Sequence, residues 1–153
     1  MDAGFEIREL AAQATAVVEG HVPPAELPSF FERAFHEVAD ALRAQGVAVA
    51  GPPFGFYPTM PAETVEVEAG FPVARAIEPA GHVVPGELPG GRVVRALHIG
   101  PFEGLSTTYA ALQDWIGEQG LETRAGVWEC YLSDPAREPD PATWRTEIFW
   151  PIA

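Results

Sequence analysis

Apolar residues recur along this chain in two helical stripes, Phe31, Phe35, Val38 and Leu42, then Leu105, Tyr109, Leu112 and Ile116. Steps of three and four residues put each set on one side of an amphipathic helix, a side shaped to lie on a sheet. The first helix is expected to open near Pro28 and Ser29 and the second near Glu103, with Gly46 and Gly120 as C-terminal caps. β-rich runs surround them at residues 14–22, 54–59 and 63–71, and again at 91–100, 126–132 and 144–150. Residues 5–10 are predicted to form a further strand, hairpinned to 14–19. Stretches rich in proline and glycine at 51–55, 78–91 and 134–141 punctuate the sheet. The middle one is expected to join the two sets, with Val83, Val84 and Leu88 interrupting it.

The two stripes are copies. Phe31 falls on Leu105, Phe35 on Tyr109, Val38 on Leu112 and Leu42 on Ile116, all 74 residues apart. The offset continues through Gly55, Phe56 and Tyr57, which fall on Glu129, Cys130 and Tyr131. Later, at 79 residues, Glu68 falls on Glu147, Phe71 on Trp150, Pro72 on Pro151 and Val73 on Ile152. The chain therefore reads as an α+β fold built from two strand-helix-strand-strand units, repeat 1 at about 5–73 and repeat 2 at about 75–153. A lone unit of roughly 70 residues buries little surface, so the two are expected to share one core in a single domain, residues 1–153. A central groove between pseudo-symmetric halves follows, either as a ligand pocket or as packed core.

Composition narrows the partners. With nine Lys plus Arg against 22 Asp plus Glu, the net charge of −13 repels phosphate backbones and anionic membranes, so no direct nucleic-acid binding is expected and a cation is favourably steered. The N-terminus has no leader pattern and no apolar run is long enough to span a bilayer, which predicts a cytoplasmic protein. Cys130, the single cysteine, allows no internal disulfide and reads as a small buried hydrophobe. His21, His36, His82 and His98 lack the spacing of a metal site, and no nucleotide or nucleophile fingerprint occurs. Neither metal nor cofactor is expected.

Glu129 is the residue with chemistry to explain. It sits in an apolar strand, and alternation places it with Val127 and Tyr131. If buried, its carboxylate must be protonated, hydrogen-bonded or poised for a cation or donor; the alternative is an edge-strand glutamate in solvent. Its repeat counterpart is Gly55, so only one copy carries the charge, and a glycine opposite a carboxylate is expected to leave room for a ligand. Candidate walls are Phe56 or Tyr57, Tyr131, Phe102, Tyr109 and Trp150, whose flat rings offer contact area and attract cations; each could equally be core. Phe56 is expected opposite Tyr57, and Trp128 opposite Glu129. His98 is either a polar contact or a structural residue.

The run ELPGGRVVRALHIGPFEGLSTTYAALQDWIGEQGL, followed by VWECYLSDP and WRTEIFWPI and preceded by VEVEAGFPV, resembles the GyrI-like domain. That domain is the effector-binding half of AraC-type and MerR-type multidrug regulators and also occurs free-standing. The resemblance implies a curved antiparallel sheet with two helices and an aromatic cleft accepting lipophilic, aromatic or cationic molecules, with its acidic hallmark on Glu129. It leaves no residues here for a helix-turn-helix. Three functions follow: a small-molecule binder for drug sensing or sequestration; a hydrolase opening cyclopropane-bearing DNA alkylators, with Glu129 and Tyr109 as catalytic candidates; or an interaction module protecting a protein partner from toxins.

Overall fold

The computed structural model describes residues 4–59, 63–133 and 137–153. Eight strands, β1 (Glu6–Leu10), β2 (Gln13–Val22), β3 (Phe54–Tyr57), β4 (Val65–Pro72), β5 (Val83–Leu88), β6 (Gly91–Ile99), β7 (Val127–Tyr131) and β8 (Arg145–Pro151), form one curved sheet with two helices, α1 (Leu27–Gln45) and α2 (Leu105–Glu118). All pairings are antiparallel, in the order β1-β6-β8-β7-β3-β4-β2-β5. Read outward from the central β7–β3 pair, each side meets the second, third and first strand of one strand-helix-strand-strand unit, so the predicted duplication is written into the strand order.

Both helices start close to where their signals lie. A short 3-10 turn, Pro24–Glu26, leads into α1, and another, Phe102–Gly104, leads into α2. Gly46 ends α1 at φ 65°, a left-handed conformation that glycine adopts without steric cost. The buried stripe of α1 is Phe30, Ala34, Val38, Ala41 and Leu42, one position round from the expected one. Phe31 and Phe35, like their counterparts Leu105 and Tyr109, are half-buried on the flank that turns toward the central strands.

Three cores result. One lies between α1 and the helix side of β2 and β4, with Ala16, Val38, Val65, Val67 and Ala69. A second lies under α2, with Val94, Leu112, Ile148 and Trp150. The third occupies the opposite face, where Val17, Val93 and Leu88 meet Phe54, Trp128 and Phe149. The sheet curves enough to bury its own back. Gly70 permits the close packing, since a Cβ there would lie 1.9 Å from the Ala16 carbonyl oxygen.

The predicted hairpin of β1 with β2 does not form. Instead β1 pairs with β6, from Glu6↔Arg95 to Leu10↔Gly91, while β2 pairs with β5, from Gln13↔Leu88 to Val18↔Val83. The register runs on without a slip, so β1-β2 and β5-β6 are two bent ribbons whose joints, Ala11-Ala12 and Pro89-Gly90, face each other. A two-residue hairpin turn needs positive φ, and among the described residues only glycines have it, so Ala11-Ala12 does not make one. The 78–91 stretch is correspondingly more than a connector, because it contains β5; Pro85 is tolerated there since β5 is an edge strand. Of the 134–141 stretch, residues 134–136 lie outside the described residues, and the remainder leads into a 3-10 turn, Pro141–Thr143, capped by Asp140. Among the described residues no helix is long and apolar enough to cross a membrane.

Candidate functional site

The site forms at the seam where the repeats meet. In β7, alternation turns Trp128 and Cys130 into the back core and Val127, Glu129 and Tyr131 toward the helices. Glu129, directly opposite Gly55 in the β3–β7 ladder, is only 7% exposed. Both carboxylate oxygens are met by phenols: Tyr109 of α2 donates to Oε2 at 2.5 Å and Tyr131 donates to Oε1 at 2.9 Å. A third phenol, Tyr57, is coupled to Tyr131 by a side-chain hydrogen bond and to Glu129 by charge.

Burial pushes the Glu129 carboxyl above its ordinary range, opposed by the two phenol hydrogen bonds and the nearby His98. The phenols of Tyr57, Tyr109 and Tyr131 are pushed up as well, first by burial and then by the Glu129 charge. They therefore keep their protons at neutral pH. The result is an anion-ready carboxylate surrounded by donors, with an ionised form that is costly until something else compensates it.

Beside this cluster lies a cleft of about 520 Å³, within the size range of small-molecule sites. Glu129 and Val127 contribute to it from β7, Tyr57 and Val65 from β3 and β4, Tyr109 from α2, and Trp150 from β8. The Tyr109 and Trp150 rings meet edge to face, with centroids 6.2 Å apart. Thr59, Gln113, Thr123 and Arg124 line the same cleft but are exposed, which marks them as its mouth. The sequence signals for the additional residues were modest: Val127 shares a face with Glu129, and Gln113 lies one helical turn beyond Tyr109. Leu27, from the start of α1, also lines the cleft and carried no signal beyond being apolar.

Of the residues singled out from sequence, Glu129, Tyr57, Tyr109 and Trp150 share the cleft. Tyr131 reaches Glu129 from the other side, its ring packed edge-on against Phe31 at 5.7 Å and Phe102 at 6.0 Å. Phe102, 42% exposed, rests on Trp144. Phe56 lies on the opposite sheet face beside Trp128. His98 is 7% exposed and fully engaged, with Nε2 donating to the Pro101 carbonyl at 2.9 Å and Nδ1 hydrogen-bonded with the Thr108 hydroxyl at 2.7 Å; it fastens the start of α2. The space expected above Gly55 is filled: a Cβ there would come within 2.8 Å of the Phe31 ring and 3.1 Å of the Tyr131 hydroxyl. Gly55 makes room for Phe31, and the open volume lies to the side, under α2. Among the described residues no three His, Cys, Asp or Glu side chains converge as metal ligands.

The model of one protein family, described as the GyrI-like small molecule binding domain, matches residues 4–153. No curated protein matches the sequence. Among solved structures, the chain is similar to EcmrR, both as its C-terminal domain alone (TM-score 0.85, 19% identity, 97% of this chain and 96% of that one) and within a DNA complex. In that complex the identity is 20%, the TM-score again 0.85, and 97% of this chain spans 56% of the EcmrR chain. It is also similar to SAV2435 bound to tetraphenylphosphonium (TM-score 0.70, 12% identity, 97% of this chain and 93% of that one). A hydrolase from Listeria innocua shares the fold at TM-score 0.69 and 16% identity, over 99% of this chain and 93% of that one.

Proposed function

Because the chain belongs to the GyrI-like small molecule binding domain family, we propose that its cleft binds lipophilic aromatic compounds bearing a cationic or hydrogen-bond-donating group, in drug sensing or sequestration. The observation that carries this reading is a buried carboxylate whose two oxygens are held by neutral phenols at the edge of a largely apolar cavity. Such a carboxylate, ionised, gains most from a ligand that brings a positive charge, while Tyr57, Tyr109 and Trp150 supply aromatic contact. SAV2435, of the same fold, has been seen with a lipophilic cation, and that cation is the natural first probe.

The test is titration calorimetry of tetraphenylphosphonium against the wild type and Glu129→Gln at pH 8, with thermal shift as a second readout. Loss of the charge is expected to weaken binding by about tenfold or more, the worth of one partly desolvated charge contact. Equal affinity in both forms would sink the role given to Glu129.

One observation favours a second reading. The short Tyr109–Glu129 hydrogen bond is an arrangement that acid–base assistance to a bound electrophile would use, so hydrolysis of the ligand is the alternative activity. Mass analysis of a cyclopropane-bearing alkylator recovered after incubation separates the two: unchanged compound supports a binder, and a water adduct supports a hydrolase.

A further inference from the structure

The nine cations of this chain are all arginines, set against 22 carboxylates. Several are committed to partners. Arg95 holds Glu147 at 2.7 Å, Arg8 holds Glu6 at 2.6 Å, and Arg43 pairs with Asp40. Arg75 and Arg92 donate to the backbone carbonyls of Gln45 and Ala153. Arg124 differs. Its backbone N–H is fixed on the Pro151 carbonyl at 2.8 Å, and the residue lines the mouth of the cleft. Its guanidinium has neither a hydrogen bond nor an ion pair with any described residue.

The charged lining of the cleft is therefore split between Glu129, buried within it, and Arg124, exposed at its opening, with apolar and aromatic side chains between them. An opening meant only for cations gains nothing from a guanidinium there, because like charge repels the entering group. The same guanidinium, with several donors in a planar fork, suits a carboxylate or similar oxyanion. Gln113 and Thr123, exposed in the lining of the same cleft, add neutral polar groups.

We infer that the preferred ligands of the cleft are bipolar: a cationic or donor group directed to Glu129, an aromatic body, and a carboxylate or comparable acceptor at the mouth on Arg124. This rests on the binding reading above and narrows it, since a simple lipophilic cation then satisfies only the inner half of the site.

A matched set of probes tests it: aminomethylbiphenyl, the same molecule with a carboxylate at its far end, and biphenylcarboxylate without the amine. Each is titrated by calorimetry into the wild type, Arg124→Gln and, as a control for net charge, Arg145→Gln, whose arginine lies outside the cleft. The added carboxylate is expected to tighten wild-type binding by about tenfold, the gain of one charge-assisted contact. Arg124→Gln is expected to bring that ratio close to one, with the plain amine binding no more weakly than to the wild type because a repelling charge has been removed, and Arg145→Gln to preserve the ratio. A plain amine that binds with no gain from the carboxylate, or a gain that survives Arg124→Gln, overturns the inference and leaves the binding reading standing. If none of the three probes binds, the inference is overturned; the binding reading falls with it only if tetraphenylphosphonium also fails to bind.

Discussion

A carboxylate held by phenols titrates differently from one held by an arginine. Burial raises the Glu129 carboxyl, so the folded chain holds that proton more tightly than the unfolded chain does. The associated stability is present at pH below the ordinary glutamate range and is lost as pH rises through the raised value. Glu129→Gln is therefore expected to melt above the wild type at pH 8, with the gap closing toward pH 5; a gap independent of pH would contradict the assignment. Affinity for a permanent cation should move oppositely, falling as pH drops below the Glu129 titration and levelling off near the affinity of Glu129→Gln. Cys130, one residue away on the other face, has its thiol pushed up to about 12 by burial and by Glu147 and Glu129. It should resist iodoacetamide at pH 8 in the folded protein and react once the chain is unfolded. At this scale the position of Glu129 was legible because strand alternation fixes a side chain's face. The filling of the space over Gly55 was not, since it depends on a flank residue of α1 turning inward. Gly55→Ala should cost about 1–3 kcal/mol in chemical denaturation, and pairing it with Phe31→Ala should recover part of that cost relative to the sum of the two.

Elements were easier to read than their neighbours. Period and cap signals located both helices within a few residues, and six predicted β-rich runs became strands, because those patterns are local. The partner of β1 was not local information. A short spacing between two strand-like runs suggests a hairpin, yet Ala11-Ala12 lacks the turn chemistry for one and the ribbon bends instead of reversing. The edges of the sheet show sensible chemistry once the order is known: β1 exposes Glu6, Arg8 and Glu9, and β5 carries Pro85, both of which discourage pairing with another chain. Packing inside the sheet is least forgiving where β2 and β4 approach. A methyl at Gly70 would collide with backbone, so Gly70→Ala is expected to destabilise the chain by about 3 kcal/mol or more, read from a denaturant midpoint.

At the scale of the molecule, the duplication supplies a scaffold that is nearly symmetric in backbone and asymmetric in chemistry. Counterpart positions hold Tyr109 and Phe35, Glu129 and Gly55, Trp150 and Phe71, so one half opens onto a cleft while the other closes around stacked rings. The exchange of β1 and β5 between the halves has a consequence for synthesis. β1 leaves the ribosome about eighty residues ahead of β6, the strand it pairs with. At about 5–20 residues per second, it waits on the order of ten seconds while β2, α1, β3 and β4 already have what they need to associate. β1 is thus made well before it can be placed, and the alternating charges of Glu6, Arg8 and Glu9 disfavour its pairing with a neighbouring nascent chain in the interval.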